Sequence, residues 1–194
     1  MSIDAKADLI SSLERLNHAL LAKLDGLGEY DLRRPMTPTG SNLLGIVKHL
    51  ATVQVGYFGA CFGRPWPEPL PWFGQASTIN QTMYAAAEES SDLILEFFQK
   101  TWTHALETFA VTDLEDTGTV RWWPEDRRHP TLRTILVYMT VEVARHAGHV
   151  DIIRELIDGE VGRFDGDESV PGSDEIDWVK YVADVEAAAR AASN

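Results

Sequence analysis

The sequence predicts an all-α protein: a four-helix bundle with long connecting loops and a C-terminal helix. Three observations carry that prediction. Apolar residues recur at spacings of three and four along four long stretches, the period of a helix with one buried face. Those stretches are separated by segments dense in Pro, Gly and Asp, which break helices. No run alternates apolar and polar residues well enough to specify a sheet. Long helices joined by long crossing connections are the mark of a bundle.

The first helix is expected over 4–25, where Leu9, Leu13, Leu16, Leu20 and Leu24 line one face and Gly26 and Gly28 end it. Residues 29–40, with Pro35, Pro38 and Gly40, read as loop. Ser41 is the expected N-cap of a second helix over 42–62, with Leu43, Ile46, Val47, Leu50, Val53 and Tyr57 inward. Residues 63–76 carry Pro65, Pro67, Pro69 and Pro71 together with Trp66, Trp72 and Phe73, and so predict an ordered aromatic loop. Ser77 or Thr78 is expected to cap a third helix over 79–110, with Met83, Ala87, Leu93, Ile94, Phe97, Phe98 and Trp102 buried. The 112–130 connection holds Trp122-Trp123-Pro124 and has room for a short extended pair. Thr131 opens a fourth helix that Asp158-Gly159 closes. After a Gly- and Asp-rich loop, a terminal helix over 174–192 would dock through Trp178, Tyr181, Val182 and Val185. The expected division is a bundle over 1–160 and a C-terminal loop and helix over 161–194.

At 194 residues, with 44% hydrophobic and 24% charged, the composition is that of a globular chain. A chain this long needs no metal or disulfide to hold its core, so a metal site would be functional. Cys61 is the only cysteine, which suits a reducing cytoplasm. The N-terminal residues lack the basic start and apolar run of a signal peptide, and no stretch has the ~20 apolar residues that span a bilayer. The formal net charge of −13 and the lack of a basic cluster argue against nucleic-acid binding. A cytoplasmic protein acting on a small molecule is the expectation, with a homodimer as the protein partner that its helix faces and aromatic loops would suit.

The chemistry concentrates in the fourth helix, in Glu142-Val143-Ala144-Arg145-His146-Ala147-Gly148-His149. On a helical wheel His146 falls about 20° from Met139, amid Ile135, Val143, Val150 and Ile153. Glu142 lies about 60° away and His149 about 80°. Glu142 and His146, four apart, are neighbours on one face and can share a metal ion. His49, on the core side of the second helix, is the candidate third ligand. Three protein ligands with open positions form a catalytic arrangement. Imidazole and carboxylate suit Zn²⁺ first, and also Ni²⁺, Fe²⁺ or Mn²⁺. On pattern alone, His149 competes with Glu142 for the third place. Trp66, Trp72, Phe73, Trp122 and Trp123 are candidate pocket walls, and Arg145 or Arg154 a candidate carboxylate holder. Cys61 reads as core, and Asp151 as a carboxylate that would orient a neighbouring ligand.

These residues resemble the DinB/YfiT-like superfamily, and the resemblance extends in layout over about residues 5–160. Its C-terminal signature is a ligand, three residues, a His, then a short step to Gln. Glu142 takes the first position and His146 the second, while His149 stands where the Gln is usual. His49, within Leu43-Leu44-Gly45-Ile46-Val47-Lys48-His49-Leu50, matches the N-terminal ligand. Glu in the place of the usual first His resembles the mycothiol-dependent maleylpyruvate isomerase branch. The run 145–155, Trp122-Trp123-Pro124 and Thr131-Leu132-Arg133 are similar to an actinobacterial group of DinB-like proteins. The resemblance implies His49, Glu142 and His146 as ligands, His149 beside them, and a low-molecular-weight thiol of mycothiol type as co-substrate. It implies transfer of that thiol to, or isomerisation of, a small electrophile. Metal-assisted hydrolysis, a bundle that binds a metal or small molecule without catalysis, and a structural homodimer without metal whose core histidines are merely hydrogen-bonded are the competing expectations.

Overall fold

Asp4 caps the first helix by accepting from the Lys6 and Ala7 amides, and α1 runs Ala5–Ala22 with Leu13 and Leu20 buried. The computed structural model describes residues 4–72, 79–163, 167, 169–172 and 175–193, and all statements below concern those residues. A short α2 (Glu29–Arg33) occupies part of the segment expected to be loop. The next helix, α3, spans Leu43–Gln54 and is capped by Asn42, not Ser41: the Asn42 side chain accepts from Gly45 N at 2.7 Å. The helical path continues through a π-turn, Val55–Gly59, and a 3-10 turn, Ala60–Phe62. Then follow α4 (Ser91–Val111), α5 (Leu132–Asp158) and α6 (Trp178–Ala192).

The start of α4 corrects the sequence expectation. Residues 79–90 were expected to be helical; they form turns, and Ser90 is the N-cap. The caps expected at Ser77 and Thr78 lie outside the described residues. Tertiary contacts override the local Ala-rich preference here. The Asn42 amide donates to the Met83 carbonyl. A Cβ on Gly45 would stand 2.0 Å from that same carbonyl oxygen, so only glycine lets the two backbones approach. Lys48, 2% exposed, donates to both Glu89 carboxylate oxygens and to Tyr84 O. Arg33 binds the Ala86 and Glu89 carbonyls. The segment is stapled to α3 instead of extending α4.

The core is all-α. Helix α1 lies along α5, α3 packs on α4 and also meets α5, and the π-turn packs against α4. Leu13, Leu44, Leu50, Phe58, Phe98, Leu136, Met139 and Val143 fill the centre. The far end of the α1–α5 pair is held by Arg154, 5% exposed, which donates to the carbonyls of Lys23 and Asp25 at 2.8 Å and to Asp158. It also pairs with Glu160. These carbonyls lie at and just past the C-cap of α1, where a helix no longer supplies amide partners. An isolated antiparallel bridge joins Thr117 of the 112–130 connection to Thr131, the N-cap of α5, and no longer extended pair forms among the described residues there. Gly159, at φ 83°, ends α5 as expected. Every side chain of α6 is exposed, including Trp178, Tyr181, Val182 and Val185. No helix among the described residues is long and apolar enough to cross a membrane.

Candidate metal centre

His49 comes from α3, while Glu142 and His146 come from successive turns of α5, on the side where α5 meets α3. The two imidazoles face one carboxylate oxygen. Glu142 Oε1 lies 3.5 Å from His49 Nε2 and 3.3 Å from His146 Nε2. The rings are 5.2 Å apart and tilted by 60°. One donor atom from each of the three residues falls within 4.8 Å of the others. His149 is exposed; its ring stands edge-on to His146 at 5.6 Å, outside this cluster.

The donor set fits a divalent ion. Zinc–nitrogen and zinc–oxygen bonds of about 2.0–2.1 Å at tetrahedral angles place neighbouring donors about 3.3 Å apart. The two measured separations lie at that value or slightly beyond it. His49 Nδ1 reaches Thr82 Oγ1 at 3.5 Å, a long contact that leaves Nε2 turned to the cluster. His146 Nδ1 is buried and has no hydrogen-bond partner. Burial first, and the adjacent His49 second, push the His146 imidazole below its ordinary value, against the opposing pull of Glu142. It is therefore neutral near pH 7, the form that can ligate.

A groove of about 340 Å³ opens from the cluster, lined by His49, Thr52, Val53, Gly56, Tyr57, Trp122, Tyr138 and Glu142. Its floor depends on the π-turn, a helix irregularity that often marks functional sites. Tyr57, within that turn, accepts from Trp122 Nε1 at 3.1 Å and from Trp123 Nε1 at 3.0 Å. Trp122 stacks edge-on to Tyr57, and Trp123 edge-on to Tyr138. A Cβ on Gly56 would sit 3.3 Å from Trp122, so the glycine gives that ring its room. The loop bearing both tryptophans is anchored below by Thr119 N to Cys61 O at 2.8 Å. A hydrogen bond with Tyr57, then burial, then the charges of Tyr57 and Glu142 push Tyr138 up to about 12.

The expected pocket residues divide. Trp122 lines the groove and Trp123 backs it through Tyr57 and Tyr138. Trp72 stands one layer behind, its Nε1 donating to Thr52 Oγ1 at 3.0 Å while its ring packs on Phe97. Trp66 is elsewhere: it packs on Phe97 and His104 and lines a separate cavity along α4. Phe73 lies outside the described residues. Arg145 is exposed and does not line the groove. Arg154, the other candidate carboxylate holder, is buried at the α1 end, where it pairs with Asp158 and Glu160. Asp151, considered as a ligand orienter, is raised by burial and interacts with Lys23 and Asp167 instead. Cys61 is core, its thiol pushed up to about 11 by burial.

Tyr138 and Thr52 in the groove, and Thr82 beside His49, escaped the sequence reading. Tyr138, Glu142 and His146 stand in one file at four-residue steps, so the helical wheel could have found Tyr138. Thr52, three after His49 on α3, was legible in the same way. Thr82 had no sequence signal, because only the stapled 79–90 segment brings it to His49.

Fold and site together define an all-α protein with an inward His–Glu–His cluster opening on an aromatic groove. The family model described as mycothiol-S-transferase matches residues 8–159, which include all three cluster residues and the whole groove. The chain belongs to this mycothiol-S-transferase family, a DinB-like family. A crystal structure titled as the conserved protein of locus from Enterococcus faecalis is similar in fold, with a TM-score of 0.61. The match covers 82% of this chain and 100% of that one at 13% sequence identity. Comparison with the curated proteins gives no match.

Proposed function

We propose that the protein is a divalent-metal-dependent transferase that joins a low-molecular-weight thiol of mycothiol type to a small electrophile. His49, Glu142 and His146 are the proposed ligands. The observation that carries this is the convergence of both imidazoles on Glu142 Oε1 at tetrahedral-edge distances, beside a groove of small-molecule size. Family membership supports the thiol and the transfer.

A divalent ion held here would lower the proton affinity of a coordinated thiol and so supply a thiolate near neutral pH. The chain's own residues set the conditions for this. Two neutral imidazoles and one carboxylate leave a dipositive ion with a net charge of one, which favours an anionic fourth partner. Burial keeps His146 neutral and its lone pair available. The tyrosine and tryptophan rings give the groove an aromatic wall against which an apolar electrophile would lie. Mycothiol and benzyl bromide provide a direct assay. Turnover should cease with a chelator, return with added metal, and be absent in His146→Ala. Turnover that survives both treatments would overturn the proposal.

A further inference from the structure

Helix α5 buries one side against α1 and α3 and leaves the opposite side uncovered among the described residues. An amphipathic helix should carry polar residues on such a side. Here Val137, Val141, Ile152 and Leu156 are between 49% and 64% exposed, and Ala144 and Gly148 lie exposed between them. The four large side chains leave about 400 Å² in water, the size at which an apolar patch on a soluble chain marks an interaction. Gly148 adds an independent observation. Glycine weakens the interior of a helix relative to alanine. A Cβ at Gly148 would meet nothing within 4 Å, so packing within the single chain gives no reason for glycine there. The close approach of a second backbone would give one. The order along the stripe is also symmetric. Val137 lies as far before the midpoint between His146 and Ala147 as Leu156 lies after it, and Val141 and Ile152 are related in the same way. Ala144 and Gly148 flank that midpoint.

We propose that the outer face of α5 is a two-fold interface with a second copy of this chain, in which the two α5 helices cross antiparallel at Ala144 and Gly148. In a two-fold contact the same patch serves both copies, so residue i meets residue j and j meets i. An antiparallel crossing at the midpoint sets Val137 against the partner's Leu156 and Val141 against the partner's Ile152. Crossing helices are closest where they cross and diverge toward their ends. The small residues let the backbones approach at the centre, and the larger pairs fill the widening space on either side. A stripe whose order is the same from both ends suits a second copy and is not required by an unrelated partner. With the other exposed residues of this side, the face approaches the ~800 Å² per partner of a stable interface. Arg145 and Glu155, both exposed, can extend their charged ends into solvent beside the crossing. The partner's Leu156 also comes level with Tyr138 at the rim of the groove, so each copy borders the other's groove. The pairing requires neither a metal ion nor a thiol.

Sedimentation equilibrium of the full chain, followed by cysteine cross-linking, tests the interface. At micromolar concentration the wild type should have twice the chain's mass of 21.6 kDa. Gly148→Leu should weaken the dimer by about tenfold or more, because the added side chain stands in the crossing. Its urea midpoint, measured where the chain is monomeric, should not fall, since leucine favours the helix and meets open space there. Val141→Cys/Ile152→Cys should form a covalent dimer on mild oxidation. The two positions are about 16 Å apart along one helix, so they cannot bridge within a chain. Neither single variant should cross-link alone, because the two copies of its cysteine are separated by the same length, but a mixture of the two should. Cys61 is buried and stays out of the reaction. A monomeric wild type, a dimer unchanged by Gly148→Leu, Val141→Cys alone cross-linking as well as the mixture, or a dimer lost on deletion of residues 176–194 would overturn the proposal.

Discussion

Glu142 is the residue on which two helices converge, because one of its oxygens faces both His49 and His146. Its place beside His146 was legible from a spacing of four on one helix. Its place beside His49 depended on α3 and α5 meeting, which no local pattern encodes. The choice between Glu142 and His149, open in the sequence, is narrowed by geometry: His149 points outward and lies outside the cluster. His146 also gives a pH dependence. In the unfolded chain an imidazole takes its proton near pH 6.5, whereas burial delays that uptake in the fold. Below about pH 6.5 the unfolded state therefore binds more protons, and stability falls as the pH drops. The urea midpoint of the metal-free protein should fall between pH 7 and 5.5 more in the wild type than in His146→Gln. Equal falls in both would contradict this assignment.

At the scale of elements, the segment before α4 shows why local preference misleads. Residues 79–90 are rich in Ala and Glu, yet Gly45, Asn42, Lys48 and Arg33 hold them in turns against α3 and α2. The signal for this was a buried lysine paired with a distant glutamate, and sequence spacing cannot show such a pair. Glu89→Ala would leave Lys48 charged, buried and unpaired, at a cost of about 3 kcal/mol by denaturant unfolding. Lys48→Met/Glu89→Gln should recover most of that loss, since it removes the charge while keeping an acceptor for Ala86 N. A double variant as unstable as the single one would show that the pair's charge is not the issue. The helix ends, by contrast, were readable where a cap residue stood at the boundary: Thr131 accepts from Thr134 N, and Gly159 adopts the left-handed conformation.

For the whole molecule, the helical period of Leu, Ile, Val and Phe was enough to establish the all-α class, because α1, α3, α4 and α5 bury most of the face that their spacing marks, whereas α6 leaves its own exposed. The aromatic groove was not legible as a whole. It requires a π-turn, a loop anchored on Cys61 O, and a tyrosine four residues before Glu142 to meet at one place. The exposed α6 lies beyond the family match, which ends at residue 159. Deleting residues 176–194 should change the unfolding free energy by no more than about 0.5 kcal/mol, as for other surface changes, and a loss of several kcal/mol would mean that α6 is docked in solution. The central claim is the metal centre, and the measurement that tests it most directly is metal content by mass spectrometry. The protein would be purified without a polyhistidine tag or chelators, with His49→Ala, Glu142→Ala and His149→Ala alongside. About one divalent ion per chain, lost in the first two variants and kept in His149→Ala, is the predicted result. No metal even after reconstitution, or an ion kept by Glu142→Ala and lost by His149→Ala, would contradict it.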